Sequence, residues 1–550
     1  MKATSRRLAP SRGLWTLTAI LGLAVAATAM AAGPDDSAKA KTKAKKDVAA
    51  VAKTSYIDEM LQDSWKSSKV KSSPLSADAE FLRRVYLDLC GRIPNVQEAT
   101  AFLEMKDSGK RAKLVEYLLA HPDFAKNFGN EWSIILVGRK PAGRDVDKGA
   151  LSSWLRKQIT ANRPWNEMAY ELITAKGSNK DNGAVNYPMS HLEDGAVNLT
   201  SFTTRIFLGQ QIQCTQCHDH PSNNWKQADF WSINAFFKGV KSERVMKTDA
   251  VGAEVYDHTE LSDEPSNAYS KYEKRNAVVG IAFPTYLDGT KISQNADVDR
   301  REVLGKFITE KDQKQLARAF VNRVWGRLFG RGIVHTVDDF GDHNKPSHPE
   351  LLEKMAEDFI ASKFDVKNLY RTIMASQAYQ LTSAMLKENE KDETLFSHQS
   401  LKPMTPEQLF DSLLTATSAH KAAGGNFDQI RNQWLGQFTV TFANDEEGEN
   451  SNFQGTIPQA LMMMNGDLMS KATGGKAGSF LHDTLDKSRA QRKPALFIVN
   501  RLYLAALGRY PNSKELNNAS AFLEMNPDSI GVLEDLFWSL LNCNEFVLNH

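Results

Sequence analysis

The chain contains few of the residues and motifs that point directly to a function. Only 4 of its 550 residues are cysteine, which is too few for a scaffold held together by disulfides. The sequence has no nucleophile elbow, phosphate loop, HExxH motif or dinucleotide fingerprint. No pair of carboxylates indicates hydrolysis. These absences argue against the common hydrolase and nucleotide-binding classes and leave any enzymatic activity uncertain.

Long apolar runs are also scarce, and the one that is present lies at the N-terminus. Residues 1–31 combine a basic start with the apolar run 14–27 and the triplet Ala-Met-Ala at 29–31. This pattern is typical of a secretory signal peptide; a membrane anchor is the alternative, but the run is short for a bilayer span. We therefore expect an exported protein of the periplasm, cell envelope or extracellular space, with no transmembrane helix in its mature chain.

The net charge is small. The full chain carries a formal +2, and loss of the four positive residues of the signal peptide leaves about −2 by the same count. Residues 32–53 are rich in alanine and lysine and lack a core pattern, so they are interpreted as a tether. Because the body that follows is mildly acidic, nucleic acid is not an expected partner.

An internal repeat predicts much of the fold. The segments RVYLDLCGR (84–92), RVWGRLFGR (323–331) and RLYLAALGR (501–509) place an aromatic residue two positions after Arg and end in Gly-Arg. Apolar residues three and four positions apart predict a helix, and the glycine fits its left-handed C-cap. Packing and helix-end interactions explain the pattern that the three copies share better than a binding site would. The fold class predicted is mainly α, with repeated helical hairpins.

The repeats lie on both sides of a polar interval. Residues 241–300 are polar, with a weak strand signal at NAVVGIAFPTYLDG (276–289), and are predicted to be a linker or a small β-containing insert. This gives a helical domain at 54–240 and a C-terminal helical domain at 301–550.

The run CTQCH (214–218) carries the most specific chemistry. Two thiols at this spacing can each add to a haem vinyl group, and the following His218 can be an axial iron ligand. A Cys214–Cys217 disulfide, a zinc site that includes His218 or His220, and a purely structural turn are the alternatives. Because haem c is attached after export, the signal peptide favours covalent haem.

Two other places hold residues of the metal-ligand type. His191 precedes the cysteine motif in the same domain and is the expected distal iron ligand, with Met189 as the second choice. Residues 337–350, VDDFGDHNKPSHPE, gather Asp338, Asp339, Asp342, His343 and His348. This composition would suit a divalent metal, but a polar loop that leads into a helix is the simpler interpretation.

Several motifs in order resemble a known pair of domains. FLRRVYLDLCGRIP, ANRPWNEMAYELITAKGS and LGQQIQCTQCHDHP resemble domain of unknown function 1549, which is also labelled cytochrome-like. LARAFVNRVWGRLFGRGIVHTVDDF and MTPEQLFDSLLTATS resemble its usual companion, domain of unknown function 1553. The resemblance implies a secreted or envelope protein whose family has no firmly assigned activity, and the label suggests haem.

Together these patterns predict an exported protein that binds haem c through Cys214, Cys217 and His218. The expected role is redox chemistry or electron transfer in the cell envelope, with a redox protein or an envelope component as partner. An extracytoplasmic structural or interaction protein, with a disulfide or metal clip at the CxxC, is the first alternative. An accessory of secreted polysaccharide processing is the second.

Overall fold

The computed structural model describes residues 56–143, 145–264, 269–292, 298–419, 434–438, 463, 469, 473–475, 478–524 and 530–550. The predicted signal peptide (1–31) and tether (32–53) lie outside these residues. The described chain is mainly helical with small sheets, which confirms the predicted fold class.

The N-terminal part of the chain is built from ten helices within the described residues. They are α1 (Tyr56–Ser67), α2 (Asp78–Cys90), α3 (Val96–Glu104), α4 (Lys110–Ala120), α5 (Pro122–Val137), α6 (Lys148–Thr160), α7 (Trp165–Thr174), α8 (Asn186–Met189), α9 (Glu193–Leu208) and α10 (Gln227–Asn234). Short 3₁₀ turns at Gly183–Val185, Gln213–Gln216 and Ala235–Phe237 connect some of them.

A second series of helices follows in the described part of the C-terminal half. These are α11 (Arg300–Lys306), which continues into a π turn at Phe307–Lys311, and α12 (Gln313–Phe329), α13 (Pro349–Ala361), α14 (Val366–Ala375), α15 (Pro406–Thr417), α16 (Phe480–Ser488), α17 (Pro494–Leu507), α18 (Ser513–Glu524), α19 (Ile530–Leu541) and α20 (Asn544–Val547).

Within the described residues, three small antiparallel sheets accompany the helices. The first has the order β1-β3-β2, from β1 (Gly177–Ser178), β2 (Val240–Thr248) and β3 (Glu254–Asp263). The second pairs β4 (Ser270–Glu273) with β5 (Val279–Ala282), and the third pairs β6 (Lys402–Pro403) with β7 (Leu548–Asn549). Four of these strands fall almost wholly within 241–300, which agrees with the predicted β-containing insert. The domain boundaries themselves stay a prediction.

One hydrophobic core draws on residues from both sides of that interval. Trp132 of α5 stacks on Phe320 of α12, with ring centroids 5.3 Å apart. Trp165 of α7 lies 4.4 Å from the same Phe320 ring, and Phe320 stacks in turn on Phe359 of α13 at 5.2 Å. Large aromatic side chains contribute much of the apolar area that a core buries. The two helical series are therefore packed through shared aromatic contacts.

The repeated segments have the structure that their pattern predicts. Gly91, Gly330 and Gly508 end α2, α12 and α17 with φ of 67°, 78° and 67°, in the left-handed region that glycine adopts at little cost. The amide of each donates to a carbonyl four residues earlier in its helix. The glycines of the repeat are thus helix caps.

The arginine after the glycine is a structural anchor in two of the copies. Arg92 pairs with Glu98 at 2.8 Å and with Asp123 at 2.8 Å. Arg509 pairs in the same way with Glu515 at 2.8 Å and with Glu545. Each arginine ties the cap to the helix that follows and to a later helix. Helix-end interactions explain this part of the repeat, as expected.

The two equivalent caps allow a matched test of the fold. Gly91 and Gly508 have the same φ, but a Cβ on Gly91 would lie 2.4 Å from Asn127 Oδ1, whereas on Gly508 its nearest neighbour is Pro94 Cγ at 3.4 Å. Asn127 cannot yield freely, because its amide donates to Leu89 O at 3.2 Å. Gly508→Ala should cost about 1–2 kcal/mol from backbone strain alone. Gly91→Ala should cost roughly 1–3 kcal/mol more from overpacking.

Urea unfolding of both variants, followed by circular dichroism, measures this difference. Equal losses of unfolding free energy in the two variants would show that the contact with Asn127 does not constrain the α2 cap.

Candidate functional site

Cys214 of the CxxCH motif lies on a short 3₁₀ turn, Gln213–Gln216, a few residues after α9 ends, and Cys217 is the residue that follows the turn. Thr215, between them, is buried, and its hydroxyl donates to Ile212 O at 2.6 Å. This fixes the turn from the inside. Cys214 and Cys217 are both exposed and both carry free thiols. Each thiol is therefore accessible to a reagent or cofactor from solvent.

His218 is held in one tautomer by its own backbone neighbour. Its Nδ1 lies 2.7 Å from Asp219 O. A carbonyl oxygen only accepts hydrogen bonds, so Nδ1 carries the proton and donates. In the neutral ring the lone pair is then on Nε2, which is the form of histidine that binds a metal ion. A backbone carbonyl on the other ring nitrogen is also the usual way to orient a metal-bound histidine.

The start of α10 holds the motif from one side. Gln216 O accepts hydrogen bonds from Trp231 Nε1 at 3.0 Å and from Gln227 Nε2 at 3.2 Å. The backbone amide of Gln227 donates to Asp219 Oδ1 at 2.9 Å. Trp231 stacks on Tyr272 of β4 with centroids 5.8 Å apart. The insert strands therefore support α10, and α10 supports the motif.

His220, two residues further on, is arranged in the opposite way. Its Nδ1 accepts hydrogen bonds from the backbone amides of Ser222, at 3.1 Å, and Asn223, at 2.9 Å. A neutral His220 ring must therefore carry its proton on Nε2. Burial lowers the pKa of His220, the nearby His343 lowers it further, and the Asp339 carboxylate opposes this shift. His218 and His220 thus favour opposite tautomers.

A loop from the second half of the chain lies against this motif. Residues 338–344, here called the 338–344 loop, approach the motif loop, residues 217–225. The Phe340 amide donates to Gly209 O at 2.8 Å, and His343 Nδ1 lies 2.9 Å from Asn223 Oδ1. His343 Nε2 lies 2.9 Å from Asp339 Oδ2. The His220 and His343 rings are 5.9 Å apart.

The sequence did not predict that the 338–344 loop lies against the motif loop. The simpler interpretation placed Asp339 and His343 in a polar loop before a helix, and the helix α13 is indeed there at Pro349–Ala361. The acidic and histidine-rich composition of the loop was the signal that singled it out. Within the part of the chain that the structure describes, no group of three or more His, Cys, Asp and Glu side chains is placed to hold a metal ion.

The predicted distal ligands, His191 and Met189, both lie in the core with 6 % of their surface exposed. His191 Nε2 is 2.7 Å from Leu136 O, and its ring stacks on Phe202 with centroids 4.0 Å apart. Burial lowers the pKa of His191 to about 4. To bind iron through Nε2, His191 would have to give up its bond to Leu136. The structure therefore gives His191 a structural contact, and its role as a ligand stays a prediction.

Comparison with known families confirms the predicted pair of domains. Residues 56–242 match the model described as a protein of unknown function (DUF1549), and residues 300–452 match the one described as a protein of unknown function (DUF1553). The chain belongs to the proteins that carry this pair of domains. No curated protein and no solved structure matches it. The CxxCH motif lies in the first matched domain and the 338–344 loop in the second.

Among the residues that the structure describes, no helix combines the length and hydrophobicity that a bilayer span requires.

The buried position of His191 predicts an acid-sensitive stability. Its pKa is about 4 in the folded protein and about 6.5 in an unfolded chain. Unfolding therefore takes up a proton between these values, and stability falls as the pH drops from 6.5 towards 4. At pH 5 the loss is about 2 kcal/mol relative to neutral pH. His191→Gln keeps a donor for Leu136 O but cannot titrate. Between pH 7 and pH 5 its free energy of unfolding should therefore fall by about 2 kcal/mol less than that of the unmodified protein.

Urea unfolding at pH 7 and pH 5 gives the two free energies. His482→Gln, a change at a surface histidine whose side chain is 42 % exposed, is the control and should resemble the unmodified protein. An equal acid-induced loss in His191→Gln and the unmodified protein would contradict the prediction.

Proposed function

We propose that this protein is an exported c-type haem protein with a redox or electron-transfer role in the cell envelope. The haem is attached through thioether bonds to Cys214 and Cys217, and His218 is the proximal iron ligand. The observation that carries the proposal is the CxxCH motif with two exposed free thiols and a histidine whose Nδ1 donates to the backbone carbonyl of the next residue, Asp219. That arrangement leaves His218 Nε2 for iron.

The residues present fit such a group. Covalent attachment requires two accessible thiols at this spacing and an adjacent imidazole, and Cys214, Cys217 and His218 meet these requirements. The bond from His218 Nδ1 to Asp219 O orients the ring and fixes its tautomer. When bound, the haem would supply one-electron chemistry. The chain's own contribution is then to hold the iron ligand in one tautomer and to fix the turn through Thr215.

The position of the motif supports a carrier role. Cys214 and Cys217 lie at the surface, so a haem attached there would be close to an incoming redox protein. Electron transfer between proteins benefits from such accessibility, whereas small-molecule catalysis usually takes place in an enclosed pocket. The proposed partner is therefore a redox protein or another component of the cell envelope.

The export signal and the cofactor support each other. Haem c is attached outside the cytoplasm, so the signal-like residues 1–31 are what such a protein requires. The Ala/Lys-rich residues 32–53 would then tether the folded part near an acidic surface. We place the protein in the periplasm, the envelope or the extracellular space on these grounds.

Removal of both thiols tests the attachment. The unmodified chain, exported from a host that matures c-type cytochromes, should give a pyridine haemochrome spectrum that survives acid–acetone extraction. Cys214→Ala/Cys217→Ala should yield folded protein without haem that resists acid–acetone extraction. Cys543→Ala is the matched control, because this partly buried thiol donates to Leu540 O and lies outside the motif; it should keep the haem. Unmodified protein without haem in the same host would refute the proposal.

The role of His218 can be tested separately from attachment. His218→Gly should keep the thioether-linked haem but lose the proximal imidazole, so that the visible spectrum changes from its native form. Added imidazole should restore the native spectrum by occupying the vacant ligand position. A variant with an unchanged spectrum before imidazole is added would show that His218 does not bind the iron.

A further inference from the structure

We propose that the second family domain completes the haem site of the first, with His343 as a positioning residue for the motif loop. This inference rests on the proposed function. In it, His343 does not bind the haem. It holds Asn223, and through Asn223 the whole of the motif loop, so that His218 presents Nε2 in one orientation.

The two loops approach too closely for the contact to be incidental. Gly341 has no side chain at the point of closest approach, where a Cβ would lie 2.4 Å from Asn223 Oδ1 and 2.8 Å from His343 Nδ1. A backbone bridge between Gly341 and Asn344 shapes the loop, and Asn344 Nδ2 donates to Asp339 O at 2.9 Å. The 338–344 loop is thus a tight turn whose conformation brings His343 to Asn223.

His343 is engaged on both edges of its ring. Asp339 Oδ2 is 2.9 Å from Nε2 and Asn223 Oδ1 is 2.9 Å from Nδ1. Both oxygens only accept hydrogen bonds, so both contacts are hydrogen bonds when each ring nitrogen carries a proton, and a neutral ring donates to one of them. The His343 ring therefore links the Asp339 carboxylate of its own loop to the Asn223 side-chain amide of the motif loop.

From Asn223 the constraint passes along the motif loop. The backbone amide of Asn223 donates to His220 Nδ1 at 2.9 Å, and the His220 amide donates to Trp225 O at 2.8 Å. The residue before His220 is Asp219, whose carbonyl accepts the bond from His218 Nδ1. Two hydrogen bonds and the peptide link between Asp219 and His220 thus connect Asn223 to His218, so a loss at Asn223 loosens the support of His218.

The energy involved is modest. The His343 side chain is 27 % exposed and that of Asp339 22 %, so each bond is partly in competition with water. A single net hydrogen bond of this kind is worth a factor of about 2 to 10 in an equilibrium constant. That is enough to change the orientation preference of a loop without unfolding the protein. It also gives a physical reason why the two domains occur together in this chain.

The test compares His343→Ala with Asp342→Ala, a change at the exposed neighbouring residue. In haem-loaded protein, exogenous imidazole should compete with His218 more readily in His343→Ala, by about 2-fold to 10-fold in apparent affinity. Asp342→Ala should not differ from the unmodified protein. Hydrogen exchange of the motif-loop amides should be faster by a similar factor in His343→Ala alone.

A double-mutant cycle with Asn223→Ala makes the test sharper. If His343 acts through Asn223, the double variant should bind imidazole no more tightly than Asn223→Ala alone.

The outcomes separate the two proposals. Unmodified protein that carries no haem overturns the proposed function and this inference with it. Haem that is present in all variants, with imidazole affinity unchanged in His343→Ala, overturns only the inference. Faster exchange without a change in imidazole affinity has the same consequence, because it would make His343 a purely structural contact.

Discussion

The buried carboxylate of Asp88 is the constraint on which the arrangement of the two domains depends. It is 3 % exposed and accepts hydrogen bonds from Tyr379 at 2.8 Å, Lys402 at 3.1 Å and Asn549 at 2.7 Å. A buried charge is tolerated only when it is paired and hydrogen-bonded. Asp88 belongs to the first repeat, and its partners come from three separate later segments. Its burial therefore requires these segments to converge on α2.

Lys402 extends this network to the helix that leads into the 338–344 loop. Its ammonium group also donates to Arg327 O and Leu328 O at 3.0 and 2.7 Å, near the C-terminal end of α12. Burial lowers the pKa of Lys402, and the charge of Asp88 opposes that shift. With α12 held by Lys402 at its end and by Phe320 in the aromatic core, the residues that follow it have a defined position beside the motif. The proposed haem site thus depends on contacts far from it.

Local features were predictable from the sequence, and distant pairings were not. The caps at Gly91, Gly330 and Gly508 follow from a pattern of nine residues that determines its own structure. The contact between His343 and Asn223 joins residues 120 positions apart, and no local pattern encodes it. Strand β2 was missed for another reason: eight of its nine residues are exposed, so it lacks the apolar alternation that identifies a strand.

The role expected for His191 shows the same limit. As a single histidine upstream of the motif it had the chemistry of a ligand, but whether its ring faces iron or the core depends on tertiary packing. The structure packs it between Leu136 and Phe202, where desolvation favours the neutral imidazole. By contrast, the tautomer of His218 depends on the next residue in the chain. This difference explains why the proximal side of the site can be argued from local structure and the distal side cannot.

Mass spectrometry of the peptide that contains Cys214 and Cys217 tests the central claim most directly. The protein should be exported by cells that also mature a known c-type cytochrome, so that the attachment machinery is verified in the same sample. The account predicts a peptide that carries one haem through two thioether bonds and has no free thiol. A peptide with two free thiols, or with a Cys214–Cys217 disulfide, would contradict it.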